Sequence, residues 1–568
     1  MNKLKYISAI STLFLVSSCG ALPIGRDYQT PNTGDILNKS FNLRQEEKAK
    51  SKFADAKPVA AWWTNFEDDF LNKLVEDALK HNHDIKIAKA NLQAARLFVD
   101  ESNLGYFPTV TGVGDYTDVM SSRQANAFSP PQRRHSTYET AFDAFWELDL
   151  FGKVSGQVDK AEADANSLEA QLQGAYVTIA AEVARGYIEL RGAQSRLDIA
   201  EKNASNQKKT YQLTQDLLDA GQGNRLDVER ARANLQLTKA TIPTLQAQIN
   251  ANLNRLGVLT GKTPDSLHAS LEIAKPLPSI PVTVNIGNPT ELIKRRPDVK
   301  QAESDLQSAV ADYNINVANL YPDVSFNGSV GFIATTLSGL GTAGTSTLLM
   351  SPTINWAAFN IGRVNTQIDQ ADAITKAKLA NFEKSVLVAL EEVDTSMVNF
   401  TREEQRRANL LQAAKASANA EELAQDRFDA GIDSFIDKLD AQRTLLDAQD
   451  KLAQSETSVA LNLVAMYKAL GGGWEVVEGK EINTGVKTRP LNELVKVSPK
   501  AEVKPAPKAD VKTKAEKGEK ITPAVKSLSK KDANESTVTP APVTKLEKVE
   551  LKPVEETIGQ DADAKKEE

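Results

Sequence analysis

The chain repeats itself, and this repeat restricts its possible folds more than any other feature. Residues 81–110 align with residues 295–324 at a spacing of 214, and WELDLFGKV at 146–154 aligns with WAAFNIGRV at 356–364 at a spacing of 210. A constant register over such lengths indicates an internal duplication. The two copies are therefore expected to share one fold, with the same elements in the same order.

Two segments in each copy have the alternating pattern of a β-strand. They are predicted at about 108–118 and 138–150 in the first copy, and at about 323–333 and 348–359 in the second. A loop rich in Gly, Ser and Thr separates the two strands of the second copy. Each segment has about the ~9–11 residues that a tilted strand needs to cross a bilayer. The sequence thus predicts four membrane-spanning strands per chain.

Each copy continues into a helical stretch of unusual length. From Arg363 to Ala430 there are 68 residues with neither glycine nor proline. Gly221 and Gly431 are predicted to end the long helices, and a return helix follows each of them. At ~1.5 Å per residue, about 65 residues form a rod of ~100 Å. Apolar residues recur along these helices at spacings of three and four, which is the pattern of a coiled-coil seam: Val158, Ala161, Ala165, Leu168, Leu172, Ala175 and Ile179 in the first copy, and Phe382, Val386, Leu390, Val393, Met397 and Phe400 in the second.

Four strands of bilayer length cannot close a barrel by themselves. An open sheet edge in lipid leaves backbone N–H and C=O groups unpaired, at several kcal/mol each. A closed barrel takes about eight strands or more, so at least two chains must contribute, and three chains would supply about twelve. The predicted fold is therefore mostly α with transmembrane β. A long coiled-coil α-helical barrel continues from four strands per chain, which complete a trimeric, twelve-stranded β-barrel.

The beginning of the sequence has the pattern of an export signal. Positive charges, a short apolar run and small residues precede Cys19, which is the only cysteine of the chain. This order predicts a signal peptide over residues 1–18, and its end resembles a bacterial lipobox with lipid attached to Cys19. Residues 19–60 are then a lipid-anchored N-terminal segment. Gly20, which is not an acid, is compatible with sorting to the outer membrane. The alternative is an ordinary signal peptide with an incidental cysteine nearby.

The remaining boundaries follow from the repeat and from composition. The first repeat is predicted over residues 61–270, a linker over 271–290 and the second repeat over 291–484. Residues 485–568 contain no Phe, Trp or Tyr and are rich in Lys, Ala, Pro and Glu. Such a composition cannot bury enough apolar surface to offset the entropy of ordering, so this tail is predicted to be disordered.

Several classes of protein are excluded by composition. No other stretch approaches the ~18 apolar residues of a spanning helix, which excludes a polytopic transporter. One cysteine allows neither a disulfide framework nor a cysteine-rich metal site. A net charge of −7 argues against a nucleic-acid binder. His81 and His83 are two residues apart and face different sides of a helix, so no metal site is expected. We expect no other cofactor besides the lipid, and no catalytic residues.

Six segments between about Cys19 and Trp474 have a recognisable combination of motifs: GRDYQTP (25–31), WWTNFEDDFLNKLVEDAL (62–79), WELDLFGKV (146–154), RRPDVKQAESDL (295–306), LYPDVSFNGSVG (320–331) and LDAQRTLLDAQ (439–449). With these motifs the sequence resembles the outer-membrane efflux (TolC-like) family, and within it the NodT-type lipoprotein branch that serves resistance-nodulation-division pumps.

This resemblance implies a trimeric tube, anchored in outer-membrane lipid, with its helical domain in the periplasm. The tube docks with a periplasmic adaptor (membrane fusion) protein and an inner-membrane pump. It passes drugs, detergents, metals or other small solutes to the outside. It has no catalytic centre of its own.

The resemblance also implies an acidic ring at the periplasmic end of the tube. On this sequence the ring corresponds to Asp440, with Asp437 one turn earlier on the same side of the helix. Three copies of each would make a closable constriction that attracts cations, and its opening is expected to depend on pH or cations. Solvated acids on an outward helix face are the alternative.

The two hairpin turns are the expected contacts of the adaptor. They comprise residues 220–225 and 430–435, and the named candidates are Gly221, Gly223, Gly431 and Asp433. Secretion-type relatives lock the second turn with a tyrosine and an arginine. Phe428 and Asp433 occupy the comparable places here, so this chain departs from that lock.

Other interpretations remain open at this point. Trp146 and Trp356 suit a membrane interface, and packing at the strand-to-helix corner fits them equally. An exit duct for type I protein secretion is an alternative with the same fold. A surface lipoprotein whose coiled coils act as a spacer, without a pore, is an alternative of another class.

Overall fold

The structure is a computed structural model. It describes residues 24–31, 53–54, 59–120, 134–281, 283–287 and 294–478, all within one compact unit, Met1–Val495. The predicted signal peptide (1–18), the predicted lipid acceptor Cys19 and the predicted tail (485–568) lie outside the described residues.

The two copies contain the same elements in the same order. The first copy comprises helices α1 (Asp69–His81) and α2 (His83–Leu104), strands β1 (Thr109–Met120) and β2 (Arg134–Leu148), and helices α3 (Lys153–Asp219) and α4 (Arg225–Leu259). The second copy comprises α5 (Pro297–Ala318), β3 (Asp323–Ala334), β4 (Ser346–Asn355), α6 (Ile361–Asp429) and α7 (Phe435–Ala469). A shift of 214 carries α2 onto α5 and β1 onto β3 residue for residue, and a shift of 210 carries α4 onto α7 in the same way.

Local signals account for the starts of the first helices. The Asp68 carboxylate accepts the backbone N–H groups of Phe70 and Leu71 at 2.8 and 3.0 Å, and so caps α1. The Asn82 side chain caps α2 through the N–H groups of Asp84 and Ile85 at 2.8 and 3.2 Å. Each cap satisfies donors that the first helical turn leaves without partners.

The four long strands form one antiparallel sheet in the order β1–β2–β3–β4. The hairpins of the two copies have the same register, since Thr109 pairs with Phe145 and Asp323 with Asn355. Pairing between β2 and β3 joins the copies. Two strands differ in their bounds from the sequence-based ranges. β2 starts at Arg134, because its pairing with β1 extends that far, and β4 ends at Asn355.

Two helical hairpins extend from this sheet. α3 packs against α4, α6 packs against α7, and α3 and α7 join the hairpins. With 67 and 69 residues, α3 and α6 are each about 100 Å long. Helices α2 and α5 pack along the strand-proximal parts of α3 and α6, and α5 contacts both of them. Most residues of the predicted seams are buried, including Val158, Ala161, Ala165, Leu172, Ile179, Phe382, Val386, Val393, Met397 and Phe400.

The main hydrophobic core brings the beginning of the first copy to the end of the second. Trp62 is 1% exposed and stacks on Tyr467, with ring centres 5.1 Å apart. Its indole N–H donates to the Gly472 carbonyl at 3.3 Å. The predicted linker 271–290 contributes here too, since Val284–Asn285 forms a short parallel pair with Phe53–Ala54.

The N-terminal segment 24–31 is fastened to the second copy. The Arg26 N–H donates to the Asn314 side chain at 2.8 Å, and the Arg26 guanidinium donates to Asp372 at 2.7 Å. The Tyr28 hydroxyl donates to Glu303 at 3.3 Å, and burial raises the pKa of Tyr28 to about 12. These contacts account for Arg26 and Tyr28 of the GRDYQTP motif.

None of the helices in the described part of the chain combines the length and the apolar character needed to cross a membrane.

Candidate channel gate

The free end of the first hairpin is a tight turn built on glycine. Gly221 has a φ of +73°, and the Gly223 N–H donates to the Leu217 carbonyl at 2.9 Å. Asn224 then starts α4, because its side chain accepts the Asp227 N–H at 2.9 Å and donates to the Asp227 carboxylate at 2.7 Å. Glycine in the left-handed conformation ends a helix at little steric cost.

The second hairpin ends in an equivalent turn that has an additional ion pair. Gly431 has a φ of +71°. The Arg427 guanidinium donates two hydrogen bonds to the Asp433 carboxylate, both at 2.7 Å. These bonds hold the pKa of the Asp433 carboxyl below its ordinary value of 3.8. Asp433 occupies a position comparable to the locking contact of the secretion-type relatives. In this chain it stabilises its own turn through the ion pair with Arg427.

Asp437 lies in the first turn of α7 and has a capping role. Its carboxylate accepts the Ser434 N–H at 3.2 Å and the Ser434 hydroxyl at 2.6 Å. Its own N–H donates to the Ser434 hydroxyl at 3.4 Å, which completes a capping box. The carboxylate remains exposed, so it caps the helix and carries charge at the hairpin end at once.

Asp440 lies one turn farther along α7, on an exposed part of the helix. Its side chain lines a groove that runs between α4 and α7, with α3 as its floor. Arg230 and Arg443 line the groove beside Asp440, and Asp447 and Asp450 follow. The structure thus places the two predicted gate acids near the same free end, but among basic residues of α4 and α7 as well.

Lys438, between the two acids, faces the opposite way. Its side chain is 2% exposed, and its ammonium lies 4.7 Å from the centre of the Phe428 ring. Burial lowers the pKa of Lys438, while the carboxylates of Asp429 and Glu421 act in the opposite direction. The start of α7 therefore presents carboxylates to solvent and packs a cation against its own hairpin.

The two tryptophans at the other end of the long helices have equivalent contacts. The Trp146 indole donates to the Tyr106 carbonyl at 3.1 Å, and the Trp356 indole donates to the Leu320 carbonyl at 3.0 Å. Both therefore tie a strand end to the loop that precedes the sheet. Trp356 is 57% exposed, whereas Trp146 is half-buried.

Sequence reasoning missed the pairing of Arg427 with Asp433 and the burial of Lys438. The Ser434-x-x-Asp437 spacing at a helix start was the available signal for the capping box. The Arg427 contact crosses a turn and had no such signal.

A four-stranded antiparallel sheet that continues into two helical hairpins of about 100 Å defines the class of outer-membrane channel proteins with a long helical domain. The model of the outer membrane efflux protein family matches residues 74–262 and 288–472. The chain therefore belongs to the outer membrane efflux protein family, and both of its copies are covered by the match.

Individual proteins show the same relationship. The probable efflux pump outer membrane protein TtgC of Pseudomonas putida KT2440 is 28% identical over 478 residues, which is 82% of this chain and 95% of TtgC. The structure of the outer-membrane channel OprN superposes with a TM-score of 0.74 at 36% identity, covering 80% of this chain and all of OprN. The CmeC channel of Campylobacter jejuni has a TM-score of 0.74 at 19% identity and covers 82% of this chain and 99% of CmeC, which shows the shared fold.

The chain is thus an outer-membrane efflux protein with a periplasmic helical domain, and it serves as the exit duct of a tripartite efflux pump.

Proposed function

We propose that three copies of the chain close into a continuous tube that passes small molecules from the periplasm to the outside. The observation that carries this proposal is the open sheet: β1 and β4 are its edges, and neither has a further partner strand among the described residues. In lipid, such edges are stable only when they pair with another chain. Three copies supply about twelve strands, enough for a water-filled bore.

The surface of the sheet supports its placement in the membrane. Large apolar side chains are exposed on all four strands, including Val110, Tyr116, Phe142, Phe145, Val330, Phe332, Leu348, Met350 and Ile354. Soluble monomers rarely expose a continuous apolar surface of this extent. Lipid attached to Cys19 supplies a further anchor. Arg26 follows Cys19 by seven positions, so an extended chain of at most ~25 Å joins the lipid to the fastened N-terminal segment.

The gate of this tube is a ring of carboxylates near the free ends of the hairpins. Asp440 and Asp437 are exposed on the first turns of α7. The proposed tube has three copies of each around its bore. Their charge attracts cations and repels anions at the narrowest point. The ion pair of Arg427 with Asp433 keeps each turn compact, so that the ring moves with the whole hairpin end.

The partners of the tube follow from its position. The turns that contain Gly221, Gly223, Gly431 and Asp433 contact a periplasmic adaptor, which connects the tube to an inner-membrane resistance-nodulation-division pump. The tube itself catalyses no reaction, since the pump supplies energy and selects the solute. Relatives from Pseudomonas putida are a toluene efflux pump component and an antibiotic efflux pump component, so small molecules rather than unfolded proteins are the proposed cargo.

Single-channel recording in planar bilayers tests this proposal. The wild type is expected to give a small, cation-selective conductance that is mostly closed. Asp440→Asn removes one charge per chain at constant size, so cation selectivity should fall several-fold and the open time should increase. Asp447→Asn is the matched control, because Asp447 is exposed on the same helix two turns away and pairs locally with Lys451.

Three other results are informative. A conductance unchanged by Asp440→Asn would remove the gate assignment and leave the duct intact. A selectivity loss as large in the Asp447→Asn control would show a diffuse field instead of a ring. No conductance from folded, membrane-inserted protein would contradict the duct and favour a coiled-coil spacer.

A further inference from the structure

The groove beside Asp440 has the size of a binding site for a small molecule. It runs between α4 and α7 with α3 as its floor, and it is here called the gate groove. Two cavities of about 520 and 370 Å³ lie along it and share Asn234, Leu237, Asp440 and Arg443. Sites for small molecules are usually cavities of about 300–1,000 Å³ in which a few polar groups lie among apolar ones. The side chains of the gate groove therefore decide which molecule it fits.

Most of the charged side chains that line the gate groove already have partners within the chain. They form three pairs at N···O distances of 2.6 to 3.5 Å: Arg196 with Asp450, Lys451 with Asp447, and Arg230 with Asp227. Within each pair the charges cancel, so these residues leave little net charge for a ligand.

Asp440 and Arg443 are the charged residues of the gate groove that keep their charges open. Both are exposed, and neither forms an ion pair with any residue that the structure describes. They are three residues apart on α7, and this spacing makes side chains neighbours on a helix surface. The gate groove thus offers one carboxylate and one guanidinium side by side.

Asn234 adds a polar group without a partner. It is 8% exposed, and its amide nitrogen is buried without a hydrogen bond. Such a buried donor costs free energy. Because the amide forms no hydrogen bond within the described residues, a half-turn about its last bond breaks none. Asn234 can therefore present either its oxygen or its N–H groups to the gate groove.

The internal repeat shows that this orphan is not required by the helix. The equivalent of Asn234 on α7 is Thr444, whose hydroxyl donates to the Asp440 carbonyl of its own helix at 2.9 Å. The same place in the repeat is thus satisfied locally in one copy and left open in the other.

Apolar side chains are exposed next to these polar groups. Leu237 of α4 is 71% exposed and lines both cavities, and Ile436 of α7 is 51% exposed and lines the smaller one. Exposed apolar surface with a polar rim is typical of ligand-binding grooves. The gate groove therefore combines an apolar wall with two unpaired charges of opposite sign.

We propose that the gate groove binds zwitterionic amphiphiles, which are small molecules with an amine and a carboxylate on an apolar body. Asp440 pairs with the amine and Arg443 with the carboxylate. Asn234 hydrogen-bonds to either group, and Leu237 and Ile436 pack against the apolar body. The inference rests on the proposed duct and deepens it by naming a class of solute that binds beside the gate.

The position of the groove gives this binding a consequence for conduction. Asp440 belongs to the proposed ring around the bore, so the gate groove opens to the bore at its narrow end. A bound solute obstructs the current there. The binding must also be weak enough for the solute to leave, as conduction requires.

Equilibrium dialysis of the purified full chain in lipid nanodiscs tests the proposed class of ligand. Ciprofloxacin, which is zwitterionic near neutral pH, is the probe. Its methyl ester lacks the carboxylate, and nalidixic acid has a related ring and a carboxylate but no amine. Ciprofloxacin should bind saturably and several-fold more tightly than either of the other two, with empty nanodiscs as the background.

Two charge variants test the assigned roles. Arg443→Gln should abolish the preference for ciprofloxacin over its methyl ester, because the carboxylate loses its partner. Asp440→Asn should abolish the preference over nalidixic acid, because the amine loses its partner.

Asn234→Leu separates binding from stability. Loss of its hydrogen bond should weaken ciprofloxacin binding about tenfold. The temperature of unfolding should rise, because an apolar side chain of similar size removes a buried donor without a partner. A purely structural asparagine would give a lower unfolding temperature instead. Asn250→Leu is the matched control, since Asn250 is exposed on the same helix and lines neither cavity, and it should leave binding unchanged.

Single-channel recording tests the position of the groove. Ciprofloxacin added on the side of the hairpin ends should reduce the wild-type conductance, and Asn234→Leu should need about tenfold more of it for the same block. Binding without block would overturn the inference, because the groove would then not open to the bore.

The remaining outcomes separate this inference from the proposed function. Protein that conducts but binds ciprofloxacin no better than the two singly charged probes would overturn the inference and leave the duct standing. Binding that is unaffected by Asn234→Leu, or equally reduced by Asn250→Leu, would overturn the assignment to the gate groove. Folded, membrane-inserted protein without conductance would contradict the duct, whatever the dialysis shows.

Discussion

Arg296 ties three helices together, and its removal should loosen the end of α7. Its side chain is 7% exposed, and the guanidinium donates to the Ala469 carbonyl at 2.8 Å. It also donates to Asp298 of α5 at 2.9 and 2.6 Å and to Glu392 of α6 at 2.7 Å. Ala469 is the last residue of α7, so one side chain connects the start of α5 with α6 and with the end of α7.

The expected cost of Arg296→Met follows from these contacts. Methionine keeps the packing of the stem and loses the hydrogen bond to a buried carbonyl, at about 1–3 kcal/mol. The two carboxylates are about half exposed, so each ion pair contributes at most about 0.5 kcal/mol after screening. The sum is about 1–4 kcal/mol, which corresponds to roughly a 5-fold to 700-fold increase in local opening.

Amide hydrogen exchange measures this opening directly. The Leu470 and Gly471 N–H groups donate to the carbonyls of Met466 and Lys468, both at 2.9 Å, and report the last turn of α7. Their exchange should accelerate by the stated factor in Arg296→Met and by less in Arg296→Lys, whose ammonium can reach fewer partners. Lys451→Met removes an exposed pair on the same helix and should leave these amides unchanged. Acceleration below about threefold in Arg296→Met would refute this reasoning.

Three further predictions concern the turns and the core. Gly221→Ala and Gly431→Ala place a Cβ in open space at φ values of +73° and +71°, so each should lower turn stability by about 1 kcal/mol through backbone strain alone, as measured by exchange of the turn amides. Pairing with Arg427 lowers the pKa of Asp433, so this ion pair stabilises the second turn fully at pH values above 3.8 and is lost as the pH falls through the lowered pKa. The rate of proteolysis at the turn should therefore be constant from pH 8 to 5 and increase in stronger acid. In Asp433→Asn it should be increased already at neutral pH. Trp62→Ala should lower the free energy of unfolding by about 3–5 kcal/mol, measured by thermal unfolding. Trp62→Phe should lower it clearly less, because phenylalanine keeps part of the buried ring. Equal losses in the two variants would show that the hydrogen bond of the indole dominates.

The sequence predicted the architecture well because its strongest signals are periodic. Duplication, strand alternation and the apolar seams depend on spacing alone, and the fold class follows from them. The family resemblance supplied the function, and the family match confirms it. Strand bounds were less accurate, because β2 is extended to Arg134 by its pairing with β1 at Met120.

The candidate site was predicted less completely, for a physical reason. Gly221 and Gly431 are local signals, and both do end the long helices. The environment of Asp440 depends on Arg230, which belongs to another helix, and no local pattern reports that proximity. The gate role of Asp440 and Asp437 stays a prediction.

Whether chains with four strands each close into one tube is visible by electron cryo-microscopy of the purified protein in lipid nanodiscs. We expect a threefold particle with a twelve-stranded barrel, in which β4 of each chain pairs with β1 of the next, above a continuous helical tube. A particle of single chains, or an assembly whose sheets remain open at β1 and β4, would contradict it.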